Sequence, residues 1–120
     1  MKVKIIFTIG IGLDAQNNEI SFLTYKELST KTFKLLAKTY GGYTAKETLG
    51  GWIDDNGNLI EEKSLQIECL HETDNHIDQT HIQANHIGFT LASLWNQQCV
   101  VVETQFTDFN FISQDVNQEI

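Results

Sequence analysis

Residues 43–70, YTAKETLGGWIDDNGNLIEEKSLQIECL, decide the fold of this chain. The DDNG segment at 54–57 separates two runs of strand-forming residues. Asn-Gly tolerates positive φ at both central positions of a tight turn, which makes it a strong hairpin signal. In the second run, LQIEC at 65–69 alternates apolar and polar residues, so this strand has one buried and one more polar face. The stretch therefore predicts an antiparallel hairpin of strands 43–53 and 58–70.

Each side of this hairpin carries one helix and one further strand. Residues 22–40 and 78–96 repeat apolar side chains at helical spacing, whereas residues 3–9 and 98–106 have strand character. The glycine pair at 41–42 ends the first helix. The order β-α-β-β-α-β is the signature of the ferredoxin-like fold. We predict an α+β fold with a four-stranded antiparallel sheet, both helices on one face, and the other face uncovered.

The 120 residues fit one domain, which we expect to span residues 1–113, with residues 114–120 as a frayed tail. The apolar side chains of residues 109–112 are expected to form a short strand or to pack on a sheet edge. A net charge of −8 repels phosphate backbones and anionic lipids, so we expect neither nucleic-acid nor membrane binding. The apolar start at residues 3–9 is too short for a signal peptide or a span, which favours a cytoplasmic location.

Closely spaced glycines surround two aromatic residues of the hairpin. Glycines in strands mark bulges or close approach of the backbone, and pairs stand at 41–42 and 50–51. One interpretation is a kinked sheet with a packed tryptophan. The functional interpretation is a ligand pocket lined by Tyr43 and Trp52, with Glu62 as a polar contact.

Three further residues are candidates for acid–base chemistry. Glu68 and Glu103 are centred in otherwise apolar strands, where one carboxyl of a facing pair can have a raised pKa. His71 follows the second hairpin strand. Carboxylates on the wet side of a half-buried sheet are the alternative interpretation. The four histidines are five residues apart, which splays them on a helix, so we expect no metal site and no cofactor.

The chain resembles a loose set of small bacterial and phage proteins of unknown function. The resemblance rests on Tyr40-Gly41-Gly42-Tyr43-Thr44, on Gly51-Trp52-Ile53-Asp54 with Asn56-Gly57 and Glu62, and on residues 96–103, NQQCVVVE. These proteins share a core of the form GG-[YF]-T followed by G-x-W, G and E. The resemblance implies one ferredoxin-like domain, and it assigns no catalytic residue.

Three functions are compatible with these features. The leading hypothesis is a non-enzymatic binding module that forms a homodimer or larger homo-oligomer through its sheet and binds a small ligand or a protein partner. Burial of an uncovered apolar face would drive such association. The second hypothesis is a small enzyme that uses the carboxylates or the histidine as acid and base. The third is a phage-type accessory protein that sequesters a signalling nucleotide.

Overall fold

The computed structural model describes residues 1–114, and these form the predicted α+β architecture. Its elements are β1 (Lys2–Gly10), α1 (Phe22–Tyr40), β2 (Thr44–Ile53), β3 (Leu59–Glu72), α2 (Ile77–Leu94) and β4 (Val101–Phe106). The strands form one sheet in the order β2-β3-β1-β4, and all three neighbouring pairs are antiparallel. The predicted ferredoxin-like fold is confirmed. Neither helix is long and apolar enough to cross a bilayer within the described part of the chain.

The last strand ends at residue 106 as predicted, but its start differs from the prediction. β4 begins at Val101 instead of residue 98, because Asn96 adopts a positive φ of 49° and the Gln97 amide donates to the Ala92 carbonyl oxygen at 2.9 Å. These two features end α2 with a turn. Residues 107–114 contain no helix or strand. Of the predicted frayed tail, residues 115–120 lie outside the described residues.

The core lies between the sheet and its two helices. Four residues of β1 point to the helices and are fully buried: Val3, Ile5, Phe7 and Ile9. Their antiparallel partners on β3 include Leu65, Ile67 and Cys69, which are also buried. The alternation in the sequence therefore predicts the buried face of both central strands correctly, because side chains in a strand point to opposite faces in turn.

A buried hydrogen bond joins the two helices. The indole Nε1 of Trp95, at the end of α2, donates to Oγ1 of Thr32 in α1 at 2.8 Å. Both residues are almost fully buried, and the Trp95 ring also meets the Tyr25 ring edge-on at 5.9 Å between centroids. Because a buried donor without a partner costs about 1–3 kcal/mol, this bond fixes how α1 and α2 pack together on the sheet.

The face of the sheet away from the helices is mostly polar. One row across it, read from the pairing register, runs Thr44, Glu68, Ile6 and Glu103. Ile6 is only 6% exposed although no helix covers it, whereas Lys4 forms an ion pair with Glu68 at 3.9 Å. We call this surface the open face.

The tip of the β2–β3 hairpin projects beyond the rest of the sheet. β1 pairs with β3 only as far as Ser64, opposite Gly10. Residues 49–53 and 59–63 therefore have no other strand of residues 1–114 beside them, and the Ile11 amide, which donates to the Lys63 carbonyl oxygen at 3.0 Å, reaches only the base of this segment. We call residues 49–63 the arm. Leu49, Ile53 and Leu59 are each more than 60% exposed and share its helix-side face.

Close packing of α2 on β4 depends on a glycine. A Cβ atom at Gly88 would lie 2.5 Å from Cγ2 of Val102. We predict that Gly88→Ala lowers the free energy of unfolding by about 1–3 kcal/mol, since overpacking a tight contact forces side chains or backbone to shift. Urea denaturation measures this change. Gly12→Ala is the matched control, because no atom lies within 4 Å of a Cβ there. Equal stability of the two variants would contradict this packing.

Candidate functional site

A notch in the sheet forms because β2 and β3 differ in length at one end. β2 begins at Thr44, opposite Glu68, whereas β3 continues to Glu72 and pairs there with β1 alone. The chain between α1 and β2 turns sharply beside this notch. Gly41 caps α1 with a φ of 90°, a left-handed conformation that favours glycine, and its amide donates to the Ala37 carbonyl oxygen.

The notch contains a cavity of about 500 Å³, which we call the notch cavity. Its lining comes from three parts of the chain that are distant in sequence: residues 40–44 from the end of α1 to the start of β2, residues Glu68, Leu70, His71 and Glu72 of β3, and Phe109 and Phe111 beyond β4. A volume in this range is typical of small-molecule sites, which are mostly apolar with a few polar groups.

Aromatic rings form much of the wall of the notch cavity, and each ring is held by a neighbour. Tyr43 stacks on Phe33 of α1 with centroids 4.4 Å apart and an interplanar angle of 9°. Phe109 and Phe111 meet edge-on at 5.4 Å. Tyr40 meets the ring of His71 edge-on at 5.1 Å. These rings present flat apolar surfaces to a ligand.

The charged groups of the notch cavity are acidic. Glu68 and Glu72 line it, and no lysine or arginine of residues 1–114 is among its lining residues. Burial lowers the pKa of His71 below its ordinary value of 6.5, so the imidazole is mainly neutral at pH 7. The site therefore combines negative charge with aromatic surface, which suits a flat or cationic ligand.

Two buried groups, Tyr40 in the cavity lining and Cys69 next to it in β3, stay protonated at neutral pH. Burial raises the pKa of the Cys69 thiol to about 12, which makes it unsuited to act as a nucleophile. Burial also raises the pKa of Tyr40, and the Tyr40 hydroxyl lacks a hydrogen-bond partner among the described residues. Residues 1–114 contain no group of three His, Cys, Asp or Glu side chains that could hold a metal ion.

The residues singled out in the sequence divide between two places. Tyr43, Glu68 and His71 line the notch cavity. Trp52 and Glu62 line a second cavity of about 390 Å³ with the loop of residues 13–17. Tyr43 precedes β2 and Trp52 is near its far end, so nine residues of extended chain, or about 30 Å, separate them. The two aromatic residues therefore do not share one pocket.

Glu103 is separated from Glu68 on the open face by Ile6, with which both carboxylate residues pair. It lines neither cavity. Sequence reasoning missed Glu72 and the roles of Phe109 and Phe111, which reach the notch cavity from a segment without regular structure. The apolar spacing of residues 109–112 was the available signal, and it indicated packing on an edge without saying which one.

The chain shares its fold with a phage protein of known structure. No protein family model and no curated protein matches the sequence. A phage SAM lyase in complex with S-methyl-5'-thioadenosine superposes with a TM-score of 0.62 at 17% identity, over 87% of this chain and 80% of that chain. A phage SAM lyase in its apo state gives a TM-score of 0.60 at 19% identity, over 86% and 78%. At these identities the similarity shows the fold alone.

The lowered pKa of His71 predicts a pH dependence of stability. The unfolded histidine titrates near 6.5 and the folded one below it, so the unfolded state binds more protons as the pH falls through about 6.5. The free energy of unfolding should therefore decrease as the pH falls through this region. His71→Gln should reduce that decrease. Urea denaturation at several pH values measures it, with His86→Gln, a change at an exposed histidine, as the control. Parallel curves for wild type and His71→Gln would contradict the prediction.

Proposed function

We propose that this protein binds S-adenosylmethionine in the notch cavity and cleaves it, with S-methyl-5'-thioadenosine as one product. The observation that carries the proposal is the meeting of aromatic rings and two carboxylates in one cavity that has no lysine or arginine in its described lining. S-adenosylmethionine combines a flat adenine with a sulfonium cation. The fold shared with a SAM lyase supports the same ligand class.

The two kinds of lining group suit the two parts of this ligand. An adenine ring stacks on aromatic side chains such as Tyr43, which its contact with Phe33 holds in place. A cation is attracted both to ring faces and to the carboxylates of Glu68 and Glu72. The cavity volume of about 500 Å³ is within the range of small-molecule sites.

The proposed reaction removes the positive charge on the sulfonium of the substrate, which is the charge that the acidic lining attracts. When the bond between sulfur and the aminocarboxypropyl chain breaks, its electron pair stays on sulfur, so the released thioether is neutral. The carboxylates therefore hold the substrate more tightly than this product, which favours product release. Binding the substrate cation does not by itself accelerate the reaction.

The aminocarboxypropyl chain loses the electron pair of its bond to sulfur, so its carbon must form a new bond. It either loses a proton or closes on its own carboxylate oxygen. Only the first route needs a base, and the neutral imidazole of His71 is one lining group that can accept a proton at pH 7, beside the carboxylates of Glu68 and Glu72. The non-enzymatic alternative is a binding module that sequesters the same nucleoside without cleavage.

Calorimetric titration tests the ligand and the charge contribution together. We expect wild type to bind S-adenosylmethionine more tightly than S-methyl-5'-thioadenosine. Glu68→Gln should weaken binding of the cation about tenfold and of the neutral nucleoside much less, because a hydrogen bond or contact to a charged group is stronger than a neutral one. The variant also leaves Lys4 without its acidic partner, which further repels a cation.

Glu103→Gln is the matched control for this titration. It removes the same charge from the same open face, on the other side of Ile6 and outside the notch cavity. Equal effects of the two variants, or no binding of either nucleoside to wild type, would refute the proposed site. Chromatography of the reaction mixture then distinguishes the two hypotheses, because S-methyl-5'-thioadenosine appears only if the protein cleaves S-adenosylmethionine.

We also propose that the protein forms homo-oligomers through its arm. An isolated two-stranded hairpin is at best marginally stable in water. Leu49, Ile53 and Leu59 expose apolar side chains on one face of the arm, which they share with Glu61 and Lys63. A second copy that covers this face would bury it and stabilise the arm. The mostly polar open face is a weaker candidate for self-association than the sequence suggested.

Light scattering coupled to size exclusion tests the oligomer. Wild type should have a mass that is a multiple of 13.6 kDa, and Leu49→Ser combined with Ile53→Ser should shift it to the monomer mass. Ile82→Ser with Phe89→Ser, which changes two exposed apolar residues of α2, should leave the mass unchanged. A wild-type monomer at high concentration would refute self-association.

A further inference from the structure

The segment after β4 runs beside the notch cavity without forming regular structure. The Thr107 amide donates to the Lys2 carbonyl oxygen at 3.3 Å, so the segment leaves the sheet next to the start of β1. Phe109 and Phe111 then line the cavity. We call residues 107–111 the strap.

One side chain holds the strap by four contacts. The ammonium of Lys2 donates to the Phe109 carbonyl oxygen at 2.7 Å and to Oδ1 of Asn110 at 3.3 Å. It also pairs with the Asp108 carboxylate at 3.6 Å and lies 5.3 Å from the centroid of the Phe109 ring. Charge-assisted hydrogen bonds are the stronger kind, and the Lys2 side chain is only 27% exposed.

This contact set stands directly at the cavity. Lys2 pairs in the sheet with Glu72, the last residue of β3, which lines the notch cavity. The end of the strap beyond the Lys2 contacts is less tightly packed, because Phe111 is 80% exposed although its ring touches Phe109. A flat ligand in the cavity would cover apolar surface of Phe111 that now faces water.

We infer that the strap closes the notch cavity over a bound ligand and that Lys2 is its latch, which sets how long the ligand stays. The inference rests on the proposed function for the identity of the ligand. Lys2 is a positioning residue here, since it acts through Phe109 and Phe111 and does not line the cavity itself. With the latch broken, the strap opens more often and the ligand leaves faster.

Limited proteolysis with chymotrypsin tests the latch in the absence of ligand. Chymotrypsin cleaves after phenylalanine, and a cleavage site must detach from the protein to enter the protease, so the rate follows the open population. Lys2→Met should be cleaved after Phe109 or Phe111 about tenfold faster than wild type, consistent with loss of a hydrogen bond from a charged group. Lys31→Met removes the same charge from α1 and should be cleaved at the wild-type rate, as should Lys2→Arg.

The ligand's effect is measured with S-methyl-5'-thioadenosine, which the proposed reaction does not consume. Saturation should slow cleavage of the wild-type strap. Stopped-flow displacement should show a dissociation rate about tenfold higher in Lys2→Met, in line with the lost latch contact. Phe111→Ala should also dissociate faster, while its latch contacts at residues 108–110 remain.

The outcomes separate this inference from the proposed function. Equal ligand-free cleavage of Lys2→Met and Lys31→Met would overturn the latch, even if the nucleoside binds. Binding that leaves the cleavage rate of wild type unchanged would overturn closure. If neither nucleoside binds wild type, the proposed function fails, and faster ligand-free cleavage of Lys2→Met then still supports a latched strap.

Discussion

The staggered pairing of β3 with its two neighbours is the constraint on which the rest of the structure depends. β1 pairs with residues 64–72 of β3, whereas β2 pairs with residues 59–68. Only residues 64–68 of β3 pair with both β1 and β2. At one end β3 extends past β2 and leaves the notch, and at the other end it extends past β1 and leaves the arm. One offset therefore creates both the candidate ligand site and the candidate self-association surface.

Local chemistry in the sequence was enough to predict the elements and their order. The DDNG turn at 54–57, the glycines at 41–42 and the alternation in β1 each have a short-range physical cause. The stagger has no such cause. It depends on the register of β1 against β3, which is set when Val3, Ile5, Phe7 and Ile9 pack against the helices. That packing joins segments about 60 residues apart, whereas the periodicity of side chains reports only on neighbouring residues of one strand or helix.

The candidate site was only partly predictable for the same reason. The residue types of Tyr43, Glu68 and His71 make them candidates in the sequence, and the notch brings them together. Trp52 and Glu62 share a hairpin with Tyr43, which predicts one pocket for all three, but the length of β2 keeps them apart from Tyr43. Phe109 and Phe111 enter through the strap, whose course depends on the Lys2 contacts and not on a local pattern.

The charge of the whole chain agrees with the chemistry of the site. A net charge of −8 attracts cations and disfavours phosphate groups, and the notch cavity repeats this preference locally with Glu68 and Glu72. A sulfonium nucleoside carries a cation and no phosphate. A signalling nucleotide, which carries phosphates, fits this charge less well than a cationic nucleoside without phosphates, which suits the negative charge of both the whole chain and the notch cavity.

The central claim is that the notch cavity binds a nucleoside between its aromatic rings. The most direct test is to locate the bound nucleoside by nuclear magnetic resonance. Intermolecular nuclear Overhauser effects report protons that are close in space. With S-methyl-5'-thioadenosine bound, we expect contacts from the adenine protons to the ring protons of Tyr43 and Phe109. Contacts to the Trp52 indole in the second cavity instead, or no intermolecular contacts at saturating nucleoside, would contradict it.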